Sequence, residues 1–193
     1  MAIPSLVVPG LRYQSGYIGD TEQAQLVADI ERQPWITDLK RRVQHYGYRY
    51  DYTRRSVDPA MYLGPLPVWL TPLAQRLRDD GIFAAVPDQV IVNEYMPGQG
   101  ISAHIDCIPC FGDTIVSISL LSSCVMLFMR AEPQAQIPVL VESGSLLVMQ
   151  AEARYRWKHA IPARKVDEIA GTRIARRRRI SLTFRTILAD ATP

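Results

Sequence analysis

The second half of the chain consists of short apolar runs separated by turn-forming residues. From residue 89 onward, Pro, Gly, Asp or Ser punctuate these runs, which are QVIVNEYM, TIVSISLL, VMLFMR, SLLVMQA and RRISLTFRTI. Several short strands at such spacing predict an antiparallel barrel or a double-sheet jelly roll. A polar, proline-bearing loop is predicted near 131–138, and we find no internal repeat.

Two helices are predicted before these strands. The stretch DTEQAQLVADIERQP begins with Asp20 as the predicted N-cap, has Gln23 three residues later, and ends before Pro34. A second helix is predicted around 66–80, with Gly81 as its C-cap. Its apolar residues recur at intervals of three and four: Trp69, Leu70, Leu73 and Leu77. These patterns predict a fold that is mainly β with flanking helices (α+β).

Length and composition predict one domain, residues 1–193. With 193 residues, 48% of them hydrophobic, the chain can bury one sizeable core. The net charge of +3 is mild, but arginines crowd 41–55 and 173–185. Three cysteines argue against a secreted disulfide scaffold and for a reducing compartment. Without a visible signal peptide or membrane span, we expect a cytoplasmic monomer.

A histidine and an aspartate stand two residues apart in AHIDC. On a strand, His104 and Asp106 would share one face with Cα atoms about 6.6 Å apart, close enough to ligate one ion. His159, beyond three predicted strands, would complete the facial triad of two histidines and one carboxylate that is typical of non-haem Fe(II) oxygenases. The alternative is a chance His-x-Asp pair in a surface turn.

The last predicted strand separates polar from apolar residues. Its polar face carries Arg179, Ser181, Thr183 and Arg185, and its apolar face Ile180, Leu182 and Phe184. Buried guanidinium groups need an anionic partner, and their planar fork suits a carboxylate, so a small dicarboxylate is a natural ligand. Asn93 and Tyr95 also share a face and can hydrogen-bond that ligand. The alternative interpretation is a solvated basic strand with half-buried polar neighbours.

In order and spacing these motifs resemble the AlkB family of Fe(II)/2-oxoglutarate-dependent dioxygenases. The resemblance runs from about 35 to 187 and includes FGDTIVSISL and GSLLVMQAEARYRWKHAI. It implies a double-stranded β-helix, a jelly roll buttressed by the N-terminal helices, with its jelly-roll catalytic core at 89–187. It also implies iron ligands and co-substrate contacts. The iron ligands would be His104, Asp106 and His159, and 2-oxoglutarate would contact Asn93, Tyr95, Arg179, Ser181 and Arg185.

The sequence departs from the family pattern at two positions. Ser181 stands where many members have asparagine, and Ile108 stands where the bacterial repair enzyme has an acidic residue that faces the target base. Base preference therefore does not follow from the resemblance. The resemblance favours Arg179 for the distal carboxylate of 2-oxoglutarate and Arg185 for the iron-chelating end.

The resemblance also implies that residues 35–60 form a nucleotide-recognition lid, which we call the lid segment. It is similar to the branch that contains the tRNA wobble-uridine hydroxylase. In an extended HYGYRYDYTRR, tyrosines would share one face and could stack on a base, while arginines pair with phosphates. The predicted substrate-binding residues are Tyr46, Tyr48, Arg49, Tyr50, Arg54 and Arg55, with Tyr52 on the same face. The alternative is a half-buried strand; His45 would either contact substrate or have a structural role.

Cys107-x-x-Cys110 suggests half of a zinc knuckle or a redox pair. Structural zinc takes four ligands and Cys124 is the only other cysteine, so zinc is the weaker hypothesis. A thiol pair beside iron could instead be oxidised during uncoupled turnover.

Three functions remain open from the sequence. The first is oxidative dealkylation of alkylated bases in DNA or RNA, on a single-stranded or flipped base; a small standalone chain favours this alkylation repair. Hydroxylation of an RNA or tRNA base is its alternative. The second is an AlkB-like oxygenase that acts on a protein or small molecule. The third, a non-catalytic nucleic-acid binder, would require a broken triad, and all three ligands are present.

Overall fold

The computed structural model describes residues 7–132 and 134–188. Within these ranges the α-helices are α1 (Asp20–Glu31), α2 (Thr71–Asp79) and α3 (Ala151–Tyr155), and a short 3-10 helix spans Pro59–Met61. The strands are β1 (Leu11–Gln14), β2 (Val43–Tyr46), β3 (Gln89–Tyr95), β4 (Ile101–His104), β5 (Ile115–Leu120), β6 (Cys124–Arg130), β7 (Ala135–Val141), β8 (Leu146–Met149), β9 (Lys158–Ile161), β10 (Val166–Ile169), β11 (Thr172–Ala175) and β12 (Arg179–Arg185). None of the helices in these ranges is long and apolar enough to cross a membrane.

Two antiparallel sheets form the core of the fold. The larger sheet has six strands in the order β1-β8-β5-β12-β3-β2, and the smaller has four in the order β4-β9-β6-β7. Strands β10 and β11 form a separate hairpin. The predicted mainly-β jelly roll with flanking helices is therefore confirmed.

Strand alternation gives the large sheet two different faces. Outward-facing residues of β12 and β3 pack with α1 and α2 in one apolar cluster. That cluster includes Ile180, Leu182 and Phe184 of β12, Val90 and Val92 of β3, and Leu26, Ile30, Leu73 and Leu77 of the helices. A second cluster, which includes Phe128, Leu147 and Trp157, lies on the other side of the large sheet. Because the helices cover one face, the polar face of β12 turns towards the small sheet.

Both predicted helices form, but the first begins differently. The N-cap is Gly19, with no side-chain cap, so the prediction of Asp20 as N-cap is wrong. Gln23 cannot close a capping box because its side-chain amide donates to the Ile18 carbonyl and its oxygen accepts from Ser143 Oγ. Asp20 instead lies in the first turn, where its charge favours the helix dipole. Gly81 follows α2 with φ of 69°, the left-handed conformation expected of a C-terminal glycine.

The prediction of a loop near 131–138 is wrong for residues 135–138, which belong to β7. This strand pairs with β6 along its whole length, and Pro138 lies opposite Leu127. A proline is compatible with a strand here because β7 is the edge of the small sheet, where its missing N–H costs no ladder hydrogen bond. As a result, four strands rather than three separate Asp106 from His159.

The sheets also recruit residues from outside 89–187. Strand β1 pairs with β8, and β2, which belongs to the lid segment, pairs with β3. The register aligns His45 with Ile91 and Tyr46 with Val90. The beginning of the lid segment is therefore anchored in the large sheet.

Candidate active site

Strands β4 and β9 place two histidines side by side. His104 lies directly opposite His159 in the ladder, with ring centroids 4.3 Å apart. Strand β4 ends at His104, so Asp106 does not share its strand face as predicted but lies two residues beyond the strand end. One ligand atom from each of His104, Asp106 and His159 lies within 4.8 Å of the others. The structure therefore brings the predicted triad together.

Hydrogen bonds fix the orientation of these side chains. Nδ1 of His104 lies 2.8 Å from the Ser102 carbonyl, which can only accept, so Nδ1 carries the proton and Nε2 is left for a metal. Oδ1 of Asp106 accepts from Arg185 Nη2 at 2.7 Å, and Oδ2 lies 3.6 Å from His159 Nε2. The donor set of two imidazoles and one carboxylate fits Fe(II).

The surroundings keep these groups in the protonation states that ligands require. Burial alone would raise the pKa of Asp106, but Arg185, His159, His104 and Arg154 outweigh it and hold that pKa below its usual range. Burial lowers the pKa of His159 to about 4, despite the opposing effect of Asp106. At neutral pH the site thus offers a carboxylate and a neutral imidazole, the forms that bind metal.

A cavity of about 640 Å³ opens beside the triad. It is lined by the three triad residues and by all five residues predicted to contact the co-substrate, namely Asn93, Tyr95, Arg179, Ser181 and Arg185. Thr183 also lines it, so the polar face of β12 points inward as predicted. The volume is within the range of about 300–1,000 Å³ that is typical of small-ligand pockets.

The two inward arginines are in different states. Nη2 of Arg179 donates to Ser119 Oγ at 2.7 Å, but its Nε and Nη1 have no hydrogen-bond partner in the described part of the chain. Arg185 donates from Nη2 to Asp106 and from Nη1 to Gln89 Oε1 at 3.1 Å, and its Nε has no partner in the described part of the chain. Because Arg179 is only 3% exposed, its two unpartnered donors fit a carboxylate that enters the cavity. Ser181 has a partner, since its Oγ lies 2.9 Å from Ser117 Oγ.

Arg41 is a cavity residue that the sequence did not single out. Its Nε donates to Asn93 Oδ1 at 2.9 Å, and its guanidinium lies 5.8 Å and 5.9 Å from the ring centroids of Tyr52 and Tyr95. The crowding of arginines in 41–55 was a signal, but it did not say which of them would face the cavity.

The four tyrosines of the lid segment do not share one face, so that prediction is wrong. Tyr50 and Tyr52 line the cavity with Arg55, whereas the other predicted substrate residues lie outside it. Tyr46 packs edge-on against Trp69, and Tyr48 packs against Tyr62. Arg49 and Arg54 are exposed, and Arg54 faces Asp51. The alternation breaks at Gly47, whose φ of 76° begins a turn after β2.

His45 supports this segment from behind the cavity. Its Nδ1 accepts from the Tyr50 backbone N–H at 3.4 Å, and its ring meets Tyr52 edge-on with centroids 5.8 Å apart. Burial, together with Arg185, Arg49 and Arg41, lowers the pKa of His45 to about 4. These contacts favour the structural role over contact with substrate.

Cys107 and Cys110 form a disulfide in the structure, and Cys124 is free and buried. The zinc hypothesis for this pair is therefore wrong, because sulfur atoms in a disulfide are not thiolates. The disulfide is instead the oxidised state of the redox pair that the sequence suggested as the other alternative. Among the described residues, the His104–Asp106–His159 group is where His, Cys, Asp and Glu side chains converge to hold a metal.

A jelly roll that joins a His-Asp-His triad to a buried, unsatisfied arginine has the arrangement of a 2-oxoglutarate-dependent dioxygenase. The sequence profile of the 2OG-Fe(II) oxygenase superfamily matches residues 11–185. The chain belongs to this superfamily and, within it, to the AlkB family. The cofactors are therefore Fe(II) and 2-oxoglutarate, as predicted.

The curated relatives include proteins from plants, viruses and animals. The chain is 37% identical to the "alkylated DNA repair protein ALKBH8 homolog" of Arabidopsis thaliana, over 94% of this chain and 59% of that protein. It is 35% identical to an uncharacterised protein of Acanthamoeba polyphaga mimivirus, over 90% of this chain and 83% of that protein. It is 38% identical to the "tRNA (carboxymethyluridine(34)-5-O)-methyltransferase ALKBH8" of Macaca fascicularis, over 86% and 26%. The chain thus spans little more than half, and about a quarter, of these two ALKBH8 relatives.

Solved structures share the fold at low sequence identity. The structure of OsALKBH1 matches with a TM-score of 0.68 and 19% identity, over 94% of this chain and 98% of that one. A prolyl-4-hydroxylase from Pseudomonas putida matches with a TM-score of 0.60 and 16% identity, over 92% of each chain. The double-stranded β-helix fold is thereby confirmed.

Proposed function

We propose that this dioxygenase oxidises alkylated bases of DNA or RNA and thereby removes the alkyl group. The observation that carries the proposal is that one cavity joins the metal triad and Arg179 at its inner end to Tyr50, Tyr52 and Arg55 of the lid segment at its rim. When bound, Fe(II), 2-oxoglutarate and O₂ supply the oxidation of a C–H bond, with release of succinate and CO₂. If the oxidised carbon is an N-alkyl group, it is lost as an aldehyde.

The inner end of the cavity is suited to the co-substrate. We assign the distal carboxylate of 2-oxoglutarate to Arg179, whose Nε and Nη1 are unpartnered among the described residues. Tyr95 and Asn93 line the same cavity as Arg179. Arg41 orients Asn93 by donating a hydrogen bond to its side-chain oxygen. Arg185 lies at the metal end, where it holds the iron ligand Asp106. These roles place the acidic co-substrate between two fixed positive charges.

The rim is suited to a base. Tyr50 packs edge-on against Tyr52 at 5.0 Å and lies 5.7 Å from Phe111, which gives the rim a rigid aromatic wall. Stacking on such rings stabilises a bound base by about 1–3 kcal/mol. Arg55 is exposed at the same rim, where a guanidinium can meet a phosphate. Because the triad lies inside a cavity, the base must be single-stranded or flipped out of a duplex.

Hydroxylation of an RNA or tRNA base is the second candidate. It is supported by the 37–38% identity to proteins named ALKBH8, one of which carries a tRNA methyltransferase name. A more distant relative from Danio rerio, 27% identical, is named a probable RNA/DNA demethylase. These names support a nucleic-acid substrate for this chain. Ile108, which is apolar and exposed, stands two residues after Asp106, where the bacterial repair enzyme has an acidic residue that faces the target base. This chain therefore lacks that means of selecting a base.

Mass spectrometry of modified oligonucleotides tests the proposal. Matched DNA and RNA strands, with either an N-methylated base or a carboxymethylated uridine, are incubated with Fe(II), 2-oxoglutarate and ascorbate. Loss of a methylene mass supports dealkylation, and gain of one oxygen atom that is retained supports hydroxylation. Succinate release that is stimulated by peptides or small molecules, with every oligonucleotide unchanged, would contradict a nucleic-acid substrate. An Asp106→Asn variant controls for oxidation by free iron.

A further inference from the structure

A buried arginine outside the cavity lining grips the loop that carries one of the iron ligands. We propose that Arg154 is a positioning residue that sets the direction of the Asp106 carboxylate and thereby the metal affinity of the site. The proposal rests on the triad as the iron site, and it is independent of the substrate.

Arg154 extends from α3 and is 2% exposed. Its Nη1 donates to the Asp106 carbonyl at 2.9 Å, and its Nη2 donates to the carbonyls of Cys107 and Phe111 at 3.1 Å and 3.2 Å. Its Nε donates to the Gly112 carbonyl at 3.1 Å. One guanidinium therefore binds four main-chain carbonyls of the 106–112 loop.

This arrangement is unusual in its partners. A buried arginine is normally compensated by a carboxylate, because an unpaired charge in the interior is costly. The side-chain hydrogen bonds of Arg154 in the described part of the chain all go to carbonyl oxygens of this loop. The Tyr155 ring, whose centroid lies 5.0 Å from the guanidinium, also stabilises the cation. Stabilisation of the buried cation therefore depends in large part on the loop holding one conformation, in which its carbonyls converge on the guanidinium.

The loop lies between two arginines with different tasks. Arg154 binds the main-chain carbonyl of Asp106, while Arg185 binds its carboxylate at 2.7 Å. The Arg185 guanidinium also lies 4.6 Å from the ring centroid of Phe111, whose carbonyl Arg154 binds. Asp106 is thus fixed at its backbone from one side and at its side chain from the other. Groups that orient a ligand in this way commonly contribute about 10–100-fold to metal affinity.

Lysine at this position provides the sharpest variant. A lysine keeps the positive charge but offers a compact ammonium instead of a planar fork, so it cannot span carbonyls from Asp106 to Gly112. Arg154→Lys should therefore weaken the binding of Co(II) by about 10–100-fold. Co(II) binding is measured from the visible absorption of the ion, in the absence of nucleic acid and O₂. Asp106→Ala calibrates the loss of a ligand, and all variants are compared in one redox state of the Cys107–Cys110 pair.

Arg176→Lys is the matched control. Arg176 is another buried arginine, but it pairs with Asp167, donating from Nε and Nη2 at 2.6 Å and 2.7 Å, and it does not line the cavity. This variant should lower the melting temperature without changing Co(II) affinity. Weaker Co(II) binding by Arg154→Lys alone supports the proposal. Unchanged binding by Arg154→Lys, or an equal loss in both variants, would overturn it, as would normal Co(II) binding by Asp106→Ala.

A measurement on the unmodified protein covers the case in which Arg154→Lys does not fold. The Phe111 and Gly112 amides donate to the carbonyls of Cys107 and Thr186 at 3.2 Å and 2.9 Å. If Arg154 organises the loop, these amides should be protected from hydrogen exchange before any metal is added. Protection that arises only after Co(II) is bound would show that the metal orders the loop and would overturn the proposal.

Discussion

Arg185 and Asp106 form a buried ion pair at the centre of the site, with Arg185 Nη2 donating to Asp106 Oδ1 at 2.7 Å. The other carboxylate oxygen lies 3.6 Å from His159 Nε2. If Asp106 is the metal ligand that we propose, one carboxylate serves both as a ligand and as the counter-ion of a buried arginine. A substitution of Asp106 changes both functions, and a useful variant must separate them.

Asp106→Asn should abolish turnover with a smaller loss of stability than Asp106→Ala. The amide oxygen can still accept from Arg185, whereas alanine leaves that cation buried and unpaired, at a cost of about 3–5 kcal/mol. Neither variant provides the anionic ligand. Succinate release measures turnover and thermal melts measure stability. Full activity in Asp106→Asn would show that the triad assignment is wrong.

Arg179→Met should mainly weaken 2-oxoglutarate binding, whereas Arg185→Met should mainly lower the stability of the free protein. Arg179→Met should raise the 2-oxoglutarate requirement by roughly 30-fold to 4,000-fold, because truncating one partner of a buried charge pair costs about 2–5 kcal/mol. It should destabilise the free protein less than Arg185→Met does, since Arg179 has two unpartnered donors while Arg185 pairs with Asp106. Co-substrate titrations and melts check both. Equal co-substrate requirements in Arg179→Met and the unmodified protein would show that Arg179 does not bind the dicarboxylate.

Arg55→Ala should reduce the salt dependence of oligonucleotide binding, and Arg54→Ala should not. Arg55 lines the cavity, whereas Arg54 lies outside it beside Asp51. Each lost phosphate contact flattens the slope of log affinity against log salt by about one unit. Tyr50→Ala should weaken binding at every salt concentration if its ring stacks on the base. Unchanged oligonucleotide binding in both Arg55→Ala and Tyr50→Ala would show that the lid segment does not recognise the substrate.

Acid should destabilise the metal-free protein partly through His45. Its pKa is lowered to about 4 in the folded state, from an ordinary value of 6.5, so the unfolded state binds its proton more readily. The neutral, half-buried ring contributes stability above about pH 6.5, and this contribution is lost as the pH falls towards about 4. His45→Gln should melt with a shallower pH dependence across that window. His159, whose pKa is also about 4, should account for part of the remaining slope. An identical pH dependence in His45→Gln would show that His45 does not titrate as inferred.

Local patterns in the sequence were sufficient for the features that depend on one strand at a time. The alternation in RRISLTFR predicted that Ile180, Leu182 and Phe184 face the core, and these residues pack against α1 and α2. The same period predicted an inward polar face, and Arg179 and Arg185 line the cavity. Such predictions hold because a strand side chain points to one of two faces, whatever partner the strand finds.

The sequence predicted less well where the backbone leaves regular structure. Gly47 ends the alternation that would have placed Tyr46 and Tyr48 beside Tyr50, and only the turn after β2 decides which rings reach the cavity. Pro138 indicated a loop, but an edge position in the small sheet makes a strand compatible with proline. Both outcomes depend on neighbours that are distant in the sequence.

The sequence by itself determined that His104, Asp106, His159 and the inward arginines would converge on one cavity, and their order, because residue type and spacing carry that information. Only the tertiary structure decided how those residues are held. Arg154 binds the loop of Asp106, and Arg41 binds Asn93, across separations of 48 and 52 residues. Hydrogen bonds over such distances exist only once the sheets have paired: the register of β2 with β3, for example, places Val43 opposite Asn93 and so brings Arg41 to that side chain.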